Sequence, residues 1–174
     1  MAKMEGSVYD SAYKGDIDHV RLNVEKDVQY VSRKDSNERL LLHWAAVGGH
    51  LLIVQYLLEK GSPVDPEDDF QSTPLILAAS SGRTEVVTLL ISKGANVNAK
   101  NQEGHSSLQL ASSKGWKEYC TRHQHLACEE NHRNEARLLV QHGANLTVKN
   151  REENTPLDVC DVGLAKQLRE VSEL

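Results

Sequence analysis

Cys120, His123, His125, Cys128 and His132 crowd five metal-capable side chains into one short stretch. Zinc takes Cys thiolates and His nitrogens, but as close pairs across a turn with a second pair further away. These five lack that paired spacing, so no metal site is assigned to them. The eight His supply no Ser-His-Asp or Cys-His-Asn arrangement. Gly48-Gly49 and Ser81-Gly82 fit turns between helices rather than a cradle for phosphate. No catalytic residue and no cofactor is therefore expected. What remains is recognition chemistry. Asp35, Glu38 and Arg39, then Glu67, Asp68 and Asp69, then Lys100 and Glu103, with Lys114 nearby, recur as charged clusters along the chain. Trp44 and Phe70 lie beside them as apolar anchors of the sort an interface core requires.

Positioning these clusters falls to an internal repeat. DSNERLLLHWAAVGGHLLIVQYLLEKGSPVDPE aligns with DDFQSTPLILAASSGRTEVVTLLISKGANVNAK, whose first residues Asp35 and Asp68 are 33 apart, as are Gly61 and Gly94. A third copy opens at Asn101, and His125 and Asp158 mark two later ones. Thr73-Pro74 suits the start of a helix, Thr as N-cap and Pro in the first turn. Leu75, Ala78 and Ala79 give a narrow apolar face. Val86, Val87, Leu89 and Leu90 give a wider stripe at helical spacing. Gly94 follows where a left-handed helix end is needed. The pattern resembles the ankyrin repeat, whose two helices and turn take the same period. Such units cannot bury their apolar faces alone, which predicts an all-α solenoid of helix-turn-helix repeats. Stacked units put equivalent charges in a line, so the clusters become one acidic face that would steer a basic partner.

The sequence divides as a single ankyrin-repeat domain over 1–174, with an N-terminal cap repeat at 1–34 and full repeats at 35–67 and 68–100. A truncated, fused repeat is expected at 101–132, a half repeat at 133–149 and a C-terminal cap at 150–174. Gly94 and Gly143 are 49 apart, which fits neither one repeat nor two. WKEYCTRHQ runs straight into HLACEE with no intervening loop, so one continuous helix is expected at about 116–130. There the register breaks, and the stack should be disturbed.

Composition bounds the rest. The 174 residues are 39% hydrophobic and 26% charged, with a net charge of −5. That balance speaks against a phosphate-driven grip on nucleic acid and against polybasic attachment to membranes. No run approaches the ~20 apolar residues of a membrane span. The first residues lack the apolar core of a secretion signal, giving an expectation of an intracellular protein. Three Cys do not suit a disulfide framework.

LLLHWAAVGGHLLIVQYLL, SPVDPEDDFQSTPLILAASSGR, GANVNAKNQEG, HLACEE, EARLLVQHGA and EENTPLDVC with GLAKQLR resemble the gankyrin family of proteasomal non-ATPase regulatory subunits. Members of that family carry seven repeats, about one and a half more than this chain, and the missing piece falls between Cys120 and His125. The resemblance implies a monomeric assembly chaperone of the cytoplasm and nucleus. Its concave face would bind the C-terminal domain of a proteasomal AAA ATPase without chemistry of its own. By position, Arg39, Asp69 and Lys114 would make that contact, joined by Asp35, Asp68, Trp44 and Tyr13. Phe70, Gln71 and Ser72 depart from the family's usual small-Gly-Trp. The resemblance also reaches Leu126, Cys128 and Glu130, an L-x-C-x-E string of the type that docks retinoblastoma-type pocket proteins. That string implies an alternative role as a cell-cycle adaptor for a pocket protein, a cyclin-dependent kinase or a ubiquitin ligase. It binds as an extended strand, whereas here Leu126, Ala127 and Cys128 fit the buried face of an inner helix. A non-functional shortened product is the third alternative.

Overall fold

The computed structural model describes residues 7–112 and 125–172, the side chains of 125–132 excepted. Helix pairs follow the repeat. They are α1 (Val8–Lys14) with α2 (Ile17–Lys26), α3 (Leu41–Gly48) with α4 (Leu51–Glu59), and α5 (Pro74–Ser80) with α6 (Thr84–Ser92). Next come α7 (Ser107–Ser112), α8 (His125–Gln141), α9 (Pro156–Val159) and α10 (Val162–Ser172). Inner helices pack in the order α1, α3, α5, α7, while α2, α4, α6 and α8 form the outer layer. Among the described residues the only bridge is the isolated Lys100–Ser106 pairing, so the all-α reading stands.

Local chemistry accounts for the pairs. Thr73 caps α5 by accepting the Ile76 amide, with Pro74 at the first helical position. Gly15, Gly49 and Gly82 break each pair at φ of 90°, 82° and 65°, a left-handed conformation that glycine adopts without steric cost. The core between layers is Leu, Val, Ala and Ile, with Leu41, Leu42, Leu57, Leu75 and Leu90 fully buried.

Each unit projects a finger turn. Asp35, Asp68, Asn101 and Asn150 open these turns, and each side-chain oxygen accepts two backbone amides, two and four residues on. The residue three positions on has positive φ in every case. It is Glu38 (58°), Gln71 (57°), Gly104 (81°) and Glu153 (64°). For a residue with a Cβ this conformation costs about 1 kcal/mol. Gln71→Gly is therefore expected to raise stability by up to about 0.5 kcal/mol, the rest of the relief being lost to the freer unfolded chain. A fall in the urea midpoint would contradict this.

The stack passes through the expected break. Asp69 N donates to Asn37 O, Gln102 N to Phe70 O and Arg151 N to Glu103 O, at 3.2, 2.8 and 3.2 Å. The first two contacts each span 32 along the chain and the last spans 48, so it matches the others with an insert of 16. The loops repeat it. Asn96 N donates to Asp65 Oδ2 and Asn145 N to Asn98 Oδ1, both at 2.9 Å, separations of 31 and 47. The described residues 101–112 and 133–149 thus pack as the two halves of one repeat, with the 16 extra residues falling between them along the chain. The second half of α8, from Arg133, is the outer helix. The helix as a whole packs on α6 and on α7, and Glu135 of its second half meets Thr84 of α6. The expected disturbance of the stack is absent from the described fingers and loops. Inner and outer helices are held by side-chain packing, and lengthening the chain that joins them costs little.

The expected end of the joint helix at 130 also requires correction. The helix that contains HLACEE continues from His125 to Gln141, while 113–124 lie outside the described residues. Asn131 stands where Gly82 stands in α6's unit, and HLACEENHRNEARLLVQ contains no Gly or Pro to break it.

Candidate partner interface

Five of the residues singled out by sequence join in one connected cluster across three units. Asp35 accepts the Trp44 indole N–H on Oδ2 at 2.8 Å while its Oδ1 brackets the finger turn. The Arg39 guanidinium lies 5.1 Å from the Trp44 ring centroid, and its Nε donates to Asp68 Oδ2 at 2.9 Å. Tyr13, on α1, meets Trp44 edge to face at 6.2 Å and 84°. The Asp68 side chain is fully buried and its other oxygen accepts the Phe70 and Ser72 amides.

This geometry separates candidates that sequence placed together. Asp35 and Asp68 hold their own fingers, since the equivalent Asn101 and Asn150 do the same work without charge. Arg39 is 19% exposed and engaged by Asp68, so it is no freely exposed rim charge. Asp69 and Phe70 are different. Both are exposed at the finger tip, Phe70 at 54%, and among the described residues nothing engages the Asp69 carboxylate. Of the remaining row, Lys100 Nζ donates to Lys149 O at 3.0 Å, and Glu103 lies 3.1 Å from His105 Nδ1. Lys114 lies outside the described residues.

Leu126, Cys128 and Glu130 are helical in backbone, within α8, which is not the extended form in which L-x-C-x-E strings dock. Their side chains lie outside the described residues, as do those of Cys120, His123, His125 and His132. Among the described residues no cluster of three or more His, Cys, Asp or Glu could hold a metal ion, and no helix is long and apolar enough to cross a membrane.

Two buried residues hold the face in place: His43, at the repeat-motif position where imidazole hydrogen-bonds backbone between repeats, and Gln109, which carried little signal in the sequence. His43 is fully buried, with Nδ1 accepting the Leu40 amide at 3.0 Å and Nε2 within 3.1 and 3.2 Å of the Pro66 and Ser72 carbonyls. It ties α3 to the next finger. Gln109, two repeats further on, does the same job. Its Oε1 accepts the Ser106 amide at 2.9 Å, and its Nε2 donates to Asn154 O at 2.8 Å and Val148 O at 3.3 Å. The spacing from His43 to Gln109, twice the repeat, was the available clue, obscured by the change of residue type and by Ile76 midway.

Residues 8–101 match the family described as ankyrin repeats, three copies, and residues 125–151 match a further ankyrin repeat. The 26S proteasome non-ATPase regulatory subunit 10 of Rattus norvegicus is 39% identical over 62 residues, covering 36% of this chain and 27% of that protein. The same subunit of Mus musculus is 40% identical over 58 residues, covering 33% and 25%. That of Homo sapiens is 37% identical over 62 residues, covering 36% and 27%. The matched stretch thus spans about a quarter of the length of these relatives. A match over more than half of the 174 residues, on units that stack finger to finger, means that the chain belongs to the ankyrin-repeat family.

Proposed function

We propose that the finger-side face binds the C-terminal domain of a proteasomal AAA ATPase, and that the chain acts as an assembly chaperone of the proteasome regulatory particle. The observation carrying this reading is the pair Asp69 and Phe70. A carboxylate that nothing engages among the described residues and a half-exposed ring project side by side from a finger held by the Arg39–Asp68 bond and the Asn37–Asp69 contact. A rigid tip of this kind suits an anchor residue with a steering charge beside it. The choice of partner rests on the similarity to 26S proteasome non-ATPase regulatory subunit 10. The role requires no catalysis, only occupation of a surface until assembly, in the cytoplasm and nucleus.

Asp69→Lys combined with Phe70→Ala is expected to weaken binding of a recombinant ATPase C-terminal domain by at least tenfold, about 1.4 kcal/mol. Both side chains are exposed, so the thermal midpoint should stay within about 2 °C. Unchanged affinity in titration calorimetry, with the fold intact, would reject this face. Recovery of pocket protein instead of ATPase from cells would reject the partner.

A further inference from the structure

Glu135 is the most anomalous side chain in the outer layer. It is fully buried on the second half of α8, in the place that Ile53 holds in α4 and Val86 in α6. Two units fill that slot with aliphatic side chains, and this one fills it with a carboxyl group. One oxygen, Oε1, is hydrogen-bonded to the Thr84 hydroxyl at the start of α6. The other, Oε2, is buried without a hydrogen-bond partner among the described residues.

A charged carboxylate would be costly there, because a buried ion needs a counterion or several donors. Among the described residues the elements packed around it offer little, and the side chains of Glu129, Glu130 and His132 on α8 lie outside them. α5 and α7 contain no ionisable side chain, and the acidic Glu85 of α6 is exposed. On α10, Lys166, Arg169 and Glu170 are exposed, and Arg133 of α8 itself is paired with Asp161 at 2.7 Å. Arg137 of α8 is exposed. Arg83 is the charge that Glu135 feels, but its Nε donates to Val47 O at 3.0 Å and its stem lies over Gly49, tying it to the preceding unit.

We propose that Glu135 is a proton-linked latch, whose neutral acid form holds the second half of α8 against α6 and whose ionisation loosens the units carrying the last finger. Burial pushes its pKa up to about 7, against the pull of the Thr84 hydrogen bond, its backbone and Arg83. A raised folded-state pKa gives stability that is complete below the ordinary carboxylate range and is lost as pH rises through about 7. The latch thus works near neutrality. His43 acts with the opposite sign, its burial lowering its pKa, so wild-type stability alone mixes the two.

The test compares the full chain with Glu135→Gln and Glu135→Val. By urea unfolding, the ratio of wild-type to variant folding constants is expected to fall roughly tenfold to a hundredfold between pH 5 and pH 8. Hydrogen exchange, corrected for its intrinsic pH dependence, should quicken at 133–144 in wild type at pH 8 but not at 41–58. A pH-independent ratio, or equal protection at 133–144 at both pH values, would overturn the latch. Should neither variant fold, carbon NMR of the wild-type Glu carboxyls decides it. One midpoint near neutrality supports the proposal, and midpoints all in the ordinary carboxylate range refute it.

Discussion

His43→Ala is expected to lower stability by about 3 kcal/mol, and His43→Gln by less than about 1 kcal/mol. Alanine removes the acceptor of the Leu40 amide and the donor to the Pro66 and Ser72 carbonyls, leaving buried backbone groups unpaired at about 1–3 kcal/mol each. Glutamine can restore one acceptor and one donor at similar reach, as Gln109 does two units further on. The pH dependence discriminates further. With Nδ1 accepting from the Leu40 amide, Nε2 carries the single ring proton, and a second proton would place N–H against N–H. Burial chiefly lowers the His43 pKa, although Asp68 and the two carbonyls oppose this. Stability from neutral His43 is therefore present above the ordinary histidine pKa of about 6.5 and is lost as pH falls from there toward the depressed value. His43→Gln should remove that acid-side loss. Urea unfolding at pH 5 and pH 7.5 reads both effects, and equal destabilisation by alanine and glutamine would show that volume rather than hydrogen bonding sets the cost.

Arg39→Glu is expected to lower stability by a similar amount, about 3 kcal/mol. The Asp68 carboxylate is fully buried, and Arg39 is its cation. Reversing that charge leaves one carboxylate unpaired and sets a second against it, whereas breaking a wholly buried pair typically costs about 3–5 kcal/mol. Partial exposure of Arg39 places the effect at the lower end. Adding Asp68→Asn should recover most of the loss, because Asn101 and Asn150 bracket their fingers as amides. A melt unchanged by Arg39→Glu would mean that the pair is screened by water. Reading Arg39 from sequence as an exposed contact charge leads to the contrary expectation of a melt nearly unchanged. The difference matters for design, since loss of binding in an Arg39 variant would mix a damaged finger with a lost contact. Asp69 and Phe70 avoid that confusion.

The sequence made the helix pairs legible because each depends on local chemistry. Thr73-Pro74 caps a helix, Gly49 and Gly82 end inner turns, and the Val86-Val87-Leu90 stripe faces inward, all within one unit's reach. The finger cluster was partly legible. A repeat of 33 puts Asp35 beneath Asp68 and Asp69, and in the structure these residues share one edge of the stack. Which carboxylates serve the fold and which face solvent was not legible, because Asp68 and Asp69 are neighbours of the same type. A half-turn of backbone sends one inward to two amides and leaves the other at the tip.

The long interval between Gly94 and Gly143 shows the same division most clearly. Its length, the loss of a loop before HLACEE and the presence of an extra inner-helix motif are properties of the chain, and any reader of the sequence finds them. How the surplus is accommodated is decided between units. The Arg151–Glu103 and Asn145–Asn98 contacts, with Gln109 reaching Asn154, keep the last finger in register. Along the chain, the extra residues fall between α7 and the second half of α8. Sequence determines where a solenoid has too many or too few residues, because the period is local. Only the tertiary structure decides whether the stack keeps its register across them, because that depends on hydrogen bonds and packing between residues about one repeat or more apart along the chain.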